Sequence, residues 1–173
     1  MELLFLLLLI FIAAPIGITY VLYRHINLRY PGKAYKYVAF IPILIWSYFI
    51  WEAFYPPEDF YKEDYKQVTQ LNFPEKAVFL YKFASFPDYF GDYTSVFLIQ
   101  IESKEYTRLM NHLPTARFLT VNNDSRPTPE TNTALAKTPA TILRAFSYEK
   151  ESKRFYVALF NDHQTVLVKR QSW

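Results

Sequence analysis

Apolar positions are distributed unevenly along the chain: two nearly unbroken apolar stretches come first, and beyond position 55 apolar and polar residues alternate in shorter runs. From Leu3 to Tyr23 no residue is charged. A helix over that stretch, at about 1.5 Å per residue, reaches roughly 31 Å, the thickness of a bilayer's hydrocarbon. The second stretch, Tyr37 to Tyr55, holds one charge, Glu52, and as a helix would reach roughly 28 Å. Trp51, Phe54 and Tyr55 gather at its end, as amphipathic rings do at a headgroup boundary, and this places Glu52 at interfacial depth. Pro15, Gly17 and Pro42 are tolerated in membrane helices. A cleaved leader fits less well, because the start MELL lacks basic residues and no Ala-x-Ala site follows.

The linker of residues 24–36 carries Arg24, Arg29, Lys33 and Lys36 and no acid. Basic loops are retained on the cytoplasmic side, while Glu58, Asp59, Glu63 and Asp64 follow the second stretch. The pattern therefore predicts a two-pass protein of the cytoplasmic (inner) membrane, with the bilayer as a partner and both termini outside the cytoplasm. Residues 1–55 form the anchor, with spans at 3–23 and 37–55, and residues 56–173 form a periplasmic or extracellular globular domain.

Within that domain the periodicities predict an α+β fold. Tyr61, Tyr65, Val68 and Leu71 recur at helical spacing over Glu58 to about Leu71, after Pro56 and Pro57 and with acids in the first turn. Phe73-Pro74 closes that helix. Ala77 to Phe83 and Tyr93 to Ile101 have the length of strands; the second is apolar on both faces, as a central strand is. Ser103 is placed as the N-cap of a second helix carrying the stripe Tyr106, Leu109, Met110 and Leu113, which Pro114 ends. Arg117 to Val121 reads as a strand. Asn122 to Lys137 reads as a long, solvated and disordered connector. Ile142 to Glu149, Phe155 to Phe160 and Thr165 to Arg170 are strands whose short links make them antiparallel neighbours. The expected architecture is an antiparallel sheet of about five strands with two helices on one face.

Composition narrows the chemistry. The absence of cysteine removes disulfides, thiolate nucleophiles and thiolate metal sites. Taking Arg24, Arg29, Lys33 and Lys36 from the 19 basic residues, and Glu2 and Glu52 from the 16 acidic ones, leaves 15 against 14 in residues 56–173. So near-neutral a domain lacks the basic stripe that nucleic acid requires. The three histidines, His25, His112 and His163, fall in separate segments, as do Asp162 and the pair Asp88 and Asp92. Three or four convergent ligands for a metal are not visible, and no metal or cofactor is expected. There is no G-x-S-x-G, H-E-x-x-H, Walker or G-x-G-x-x-G motif, and Gly91 is the domain's only glycine. An enzyme is not expected; if one existed, acting on lipid or cell-wall material, Asp88, Asp92 and a histidine would be its obvious groups. Asn123-Asp124-Ser125 is a formal glycosylation sequon of little weight.

The most distinctive local feature is the link of residues 86–93, where Asp88, Tyr89, Phe90, Asp92 and Tyr93 mix rings with acids. Rigid aromatics beside charges make good protein-contact residues, although Gly91-Asp92 also suits a plain turn with the rings folded back as core cover. The sequence thus predicts a non-enzymatic binding protein, with Asp88, Tyr89, Phe90, Asp92 and Tyr93 as the contact residues. An immunity protein neutralising a toxin at the cell envelope is the sharpest form of that expectation, and an accessory or assembly subunit of a membrane or secretion complex is the alternative.

Overall fold

A computed structural model describes residues 2–30, 34–85, 92–116, 118–121, 124 and 127–173; the side chains of residues 2–12, 35 and 53 are outside this description. The chain divides into two compact units, Met1–Ala53 and Phe54–Trp173.

The first unit contains helix α1 (Glu2–Arg29), a 3-10 segment (Ala34–Phe40) and most of helix α2 (Ile41–Phe54). Tyr23 meets Phe40 edge-on at 6.4 Å, and Ala39 is fully buried. Among the described residues no helix is long and apolar enough to cross a membrane, which corrects the two-span anchor and, with it, the inner-membrane location and the outward-facing periplasmic domain. The second apolar stretch is not one helix: its first part winds as the 3-10 segment, and α2 has only 14 residues, about 21 Å where roughly 30 Å is needed. In α1 the described side chains begin at Ala13, and Arg24 interrupts the apolar run from there; residues 3–12 of the expected first span lie outside the described side chains. Arg24 and Arg29 belong to α1 and Lys36 to the 3-10 segment, so they do not share one connecting loop; Lys33 is outside the described residues. Ile41, Leu44, Ile45, Tyr48, Phe49 and Trp51 are exposed.

The second unit is built on one antiparallel sheet of six strands, β1 (Val78–Ala84), β2 (Thr94–Gln100), β3 (Leu119–Val121), β4 (Ile142–Lys150), β5 (Lys153–Phe160) and β6 (Thr165–Ser172), in the order β1-β2-β6-β5-β4-β3. Its helices are α3 (Glu58–Thr69), α4 (Ser103–His112) and α5 (Pro129–Leu135). Two differences from the sequence expectation matter. The sheet has six strands where about five were expected, and its helices lie on both faces where one was expected.

Strand alternation sorts the core into two layers. Phe97 and Ile99 of β2, Val166 and Val168 of β6, and Val157 and Leu159 of β5 pack with Tyr61, Tyr65 and Val68 of α3 and Tyr106 and Leu109 of α4. Their sheet neighbours Val96, Leu98, Leu167 and Ala158 face the other way, toward Ala134 of α5. Side chains on adjacent strand positions point to opposite faces, so β2, β5 and β6, covered on both sides, read as continuous apolar runs. Irregular register adjusts the outer strands. A break at Leu80 lets Phe79 join the α3/α4 layer and Tyr81 the α5 layer. Another break, at Leu143, returns Ile142 to the α5 layer. A bulge adds one residue and inverts the alternation beyond it.

Helix α5 replaces part of the disordered connector expected over Asn122 to Lys137. Thr128 caps it by accepting the Thr131 N–H at 3.3 Å, and Pro129 opens its first turn, where a missing N–H costs nothing. The N-cap of α4 is Glu102, which makes no side-chain cap bond, so Ser103 is the first helical residue and not the cap. Beyond His112 the chain tightens into a 3-10 turn, Leu113–Ala116.

Candidate functional site

Adjacent residues of β6, Lys169 and Arg170, anchor two buried charge clusters on opposite faces of the sheet. On the α3/α4 face, Asp64 of α3 is 2% exposed and accepts Nη1 of Arg170 at 2.7 Å, the Tyr93 hydroxyl at 2.7 Å and the Ser95 hydroxyl. Arg170 Nη1 also donates to Gln67 at 2.8 Å, and its guanidinium lies 4.6 Å from the Tyr93 ring centre. Burial, and then the charge of Asp64, push the Tyr93 hydroxyl well above the usual phenol range, so it remains a donor. Helical spacing accounts for the placement: Asp64 shares a face of α3 with Tyr61, Tyr65 and Val68 and is carried to the sheet with them.

On the α5 face, Asp124 accepts Lys169 Nζ at 2.8 Å and stands 3.2 Å from Arg154 Nη2. Both cations are buried, Lys169 1% and Arg154 2% exposed. Glu149, half exposed, reaches Arg154 Nε at 3.5 Å. Tyr156 lies in the same layer, and burial followed by the Asp124 charge pushes its hydroxyl up to about 12.

Two concavities accompany these clusters. The larger, about 570 Å³, runs between the end of α3, the 3-10 turn at Thr115 and Ala116, and the β4–β5 hairpin. Val68, Tyr148 and Phe155 line it, with Gln67, Gln70, Lys150 and Lys153 around them. Tyr148 and Phe155 stack across the hairpin, centres 6.1 Å apart and planes 18° apart. Among the described residues β3 pairs with Ala145, Phe146 and Ser147 of β4, Phe118 just before it sets its ring 5.8 Å from that of Tyr148, and a further hollow beside Leu119, Val121 and Glu149 also includes Tyr148. The second concavity, about 310 Å³, lies under α5.

Of the residues the sequence nominated, Asp88, Tyr89 and Phe90 lie outside the described residues. Asp92 and Tyr93 lead into β2 and are half buried. Tyr93 is joined to Asp64, a residue three positions into the first predicted helical stripe, and not to a contact patch. The histidines stay apart: His25 is in α1, His112 ends α4, and His163 occupies the β5–β6 turn at φ 55° with its ring edge-on to Tyr106 at 5.5 Å. Among the described residues no group of three or more His, Asp or Glu is placed to hold a metal. Asp162 organises that same turn. Burial acts to raise its pKa, but the Thr165 hydroxyl and the N–H groups of Thr165 and Gln164 outweigh this and hold it below the ordinary value.

Sequence reasoning did not find the clusters at Asp64 and Asp124 or the groove at Tyr148. A signal existed for the first two: Lys169 and Arg170 follow Val166-Leu167-Val168 inside a strand that must be covered on both faces, and buried cations need partners. No protein-family model, curated protein or solved structure matches this chain.

Proposed function

We propose that the Phe54–Trp173 unit is a non-enzymatic protein-binding domain, and that it takes an acidic segment of its partner into the groove floored by Tyr148 and Phe155. The observation that carries this reading is an aromatic-floored concavity of about 570 Å³, in which Tyr148 and Phe155 stack beside Lys150 and Lys153. Tyr148 and Phe155 supply rigid contact area, and Lys150 and Lys153 at the rim favour an acidic partner. The buried carboxylates Asp64 and Asp124 are each committed to cations, which suits a structural part better than proton transfer. In its specific form the partner is a protein toxin and the domain its immunity protein.

The test is site-specific photo-crosslinking in cells, with the probe placed in the full-length chain at Lys150 or Lys153 and, for comparison, at exposed Asn161. One discrete adduct from the two lysine positions and none from Asn161 is expected, with loss of the adduct in Tyr148→Ser. Adducts of equal yield from all three positions, or from none, would sink the reading. The immunity form makes a narrower claim: co-expression must relieve the toxicity of a protein encoded beside it, and Lys150→Glu with Lys153→Glu must abolish that relief.

A further inference from the structure

Helix α2 buries none of its described residues. Ile41, Leu44, Ile45, Tyr48, Phe49 and Trp51 show between 47% and 66% of their surface, and Ile43, Trp46 and Ile50, on the side of the helix that these leave, are only half buried. At roughly 100° per residue the two sets together make the helix apolar on its whole circumference. Its one charge, Glu52, is occupied by the Tyr48 hydroxyl at 3.2 Å. A helix of 14 residues is marginal in water even when built of good helix formers, and one that is apolar all round has no polar face to turn to solvent. So large an exposed apolar surface marks a site of interaction.

Two observations say what covers it. A protein neighbour buries a stripe about 100° wide and leaves the remainder of such a helix in water, whereas lipid surrounds it. The charges beside it are of one sign: from Leu3 to Tyr55 the chain carries Arg24, Arg29, Lys33 and Lys36 against Glu52 alone. Arg24 and Arg29 are exposed and make no ion pair among the described residues, and Lys36 lies 5.6 Å from the Tyr37 ring centre. Both arginines belong to the part of α1 that follows Tyr23, whose ring meets Phe40 of the 3-10 segment. Exposed Tyr37, Tyr48, Trp51 and Tyr55 are amphipathic rings of the kind found at headgroup depth. The length of α2, about 21 Å, exceeds half of a hydrocarbon core of roughly 30 Å and falls short of the whole.

We propose that α2, with the 3-10 segment before it, enters one leaflet of an anionic lipid surface without crossing it, and that Arg24, Arg29 and Lys36 hold it there through the headgroups. Basic residues beside an inserted apolar segment add their attraction to anionic lipid to the burial of the apolar rings.

The experiment uses the full-length chain and sealed vesicles of phosphatidylcholine, with or without phosphatidylglycerol, read by flotation. Binding is expected to be at least about thirtyfold tighter when phosphatidylglycerol is present, and Arg24→Gln with Arg29→Gln should remove about thirtyfold of it, the effect of two basic residues near an anionic surface. Leu44→Glu with Phe49→Glu must abolish flotation with both vesicles. The chain has no cysteine, so Val38→Cys and Tyr55→Cys each introduce a single thiol, and a membrane-impermeant maleimide added outside the vesicles must label both. A thiol that reacts only after lysis would show that the segment crosses, which overturns entry from one side. Equal affinity for the two vesicles, or flotation unchanged in Leu44→Glu with Phe49→Glu, overturns the lipid assignment. So does a chain that self-associates in lipid-free buffer and floats with neither vesicle, which would make a second copy the cover. Circular dichroism checks the fold of each variant, and Leu44→Ser with Phe49→Ser serves if the glutamate pair does not fold.

Discussion

Among the described residues, the two faces of the sheet pair their buried charges differently, although the residues responsible are neighbours in sequence. On the α3/α4 face one cation, Arg170, meets one carboxylate, Asp64, whose remaining acceptor capacity is taken by the hydroxyls of Tyr93 and Ser95. On the α5 face one carboxylate, Asp124, serves two cations, Lys169 and Arg154. A buried charge is tolerated only while its partner is present, so the consequence of losing a cation depends on what is left behind. Removing Arg170 leaves Asp64 with hydroxyl donors alone. Removing Lys169 leaves Asp124 with Arg154 among its described partners.

The largest expected effect follows directly. Arg170→Met should cost about 3–5 kcal/mol of stability, the range for breaking a buried ion pair from one side. Denaturant unfolding of the full chain measures it. Lys169→Met should cost less, roughly 1.5–3 kcal/mol, the value of a hydrogen bond to a charged group. Equal losses in the two variants would erase the distinction between the faces.

Alkaline titration probes the same contrast more gently. Burial raises Tyr61, on the α3 face, and Tyr156, on the α5 face, from 10.0 to about 12. The neutral phenol is the form that suits the folded state, so its stabilisation is complete below pH about 10 and is lost as pH rises toward about 12. Tyr61→Phe and Tyr156→Phe should each flatten that loss, read as the shift of the unfolding midpoint between pH 9 and 12. If only one of them does so, the two faces differ in their access to water. The smallest effect belongs to the helix face alone. Gln70 closes α3 at φ 61°, a left-handed conformation that a side chain disfavours, and Gln70→Gly should raise stability by about 0.5–1 kcal/mol. A loss of stability there would mean that the Gln70 side chain contributes more to the groove than its backbone costs.

How much of this was legible can be judged from particular segments. The strands at Thr94–Gln100, Lys153–Phe160 and Thr165–Ser172 were visible because apolar residues at consecutive positions are needed when both faces are covered. Helix α4 was visible from its stripe. Helix α5 was not, because its polar composition resembles a solvated linker; the one local signal, Thr128 before Pro129 and Glu130, marks a helix start without showing that anything follows. The anchor was misread for a related reason. The length of an apolar run is legible, but the run from Tyr37 to Tyr55 contains a change of helix type at Phe40 and Ile41, and hydropathy does not register where a helix winds differently. Of the candidate contact residues, Tyr93 was singled out for its ring and its neighbouring acids, while its actual partner, Asp64, is 29 positions away.

The sequence by itself determined which segments are apolar, where the strands of the second unit run, and that thiol chemistry is absent, because these depend on composition and on periodicities of two and 3.6 residues. Only the tertiary structure decided that Lys169 and Arg170 face opposite layers, that Asp124 and Asp64 arrive as their partners from 45 and 106 positions away, and that Tyr148 and Phe155 stack in the groove. The reason is physical. Charge pairing and strand edges are properties of neighbours brought together by folding, and no local pattern in a chain specifies which distant residue will supply the other half.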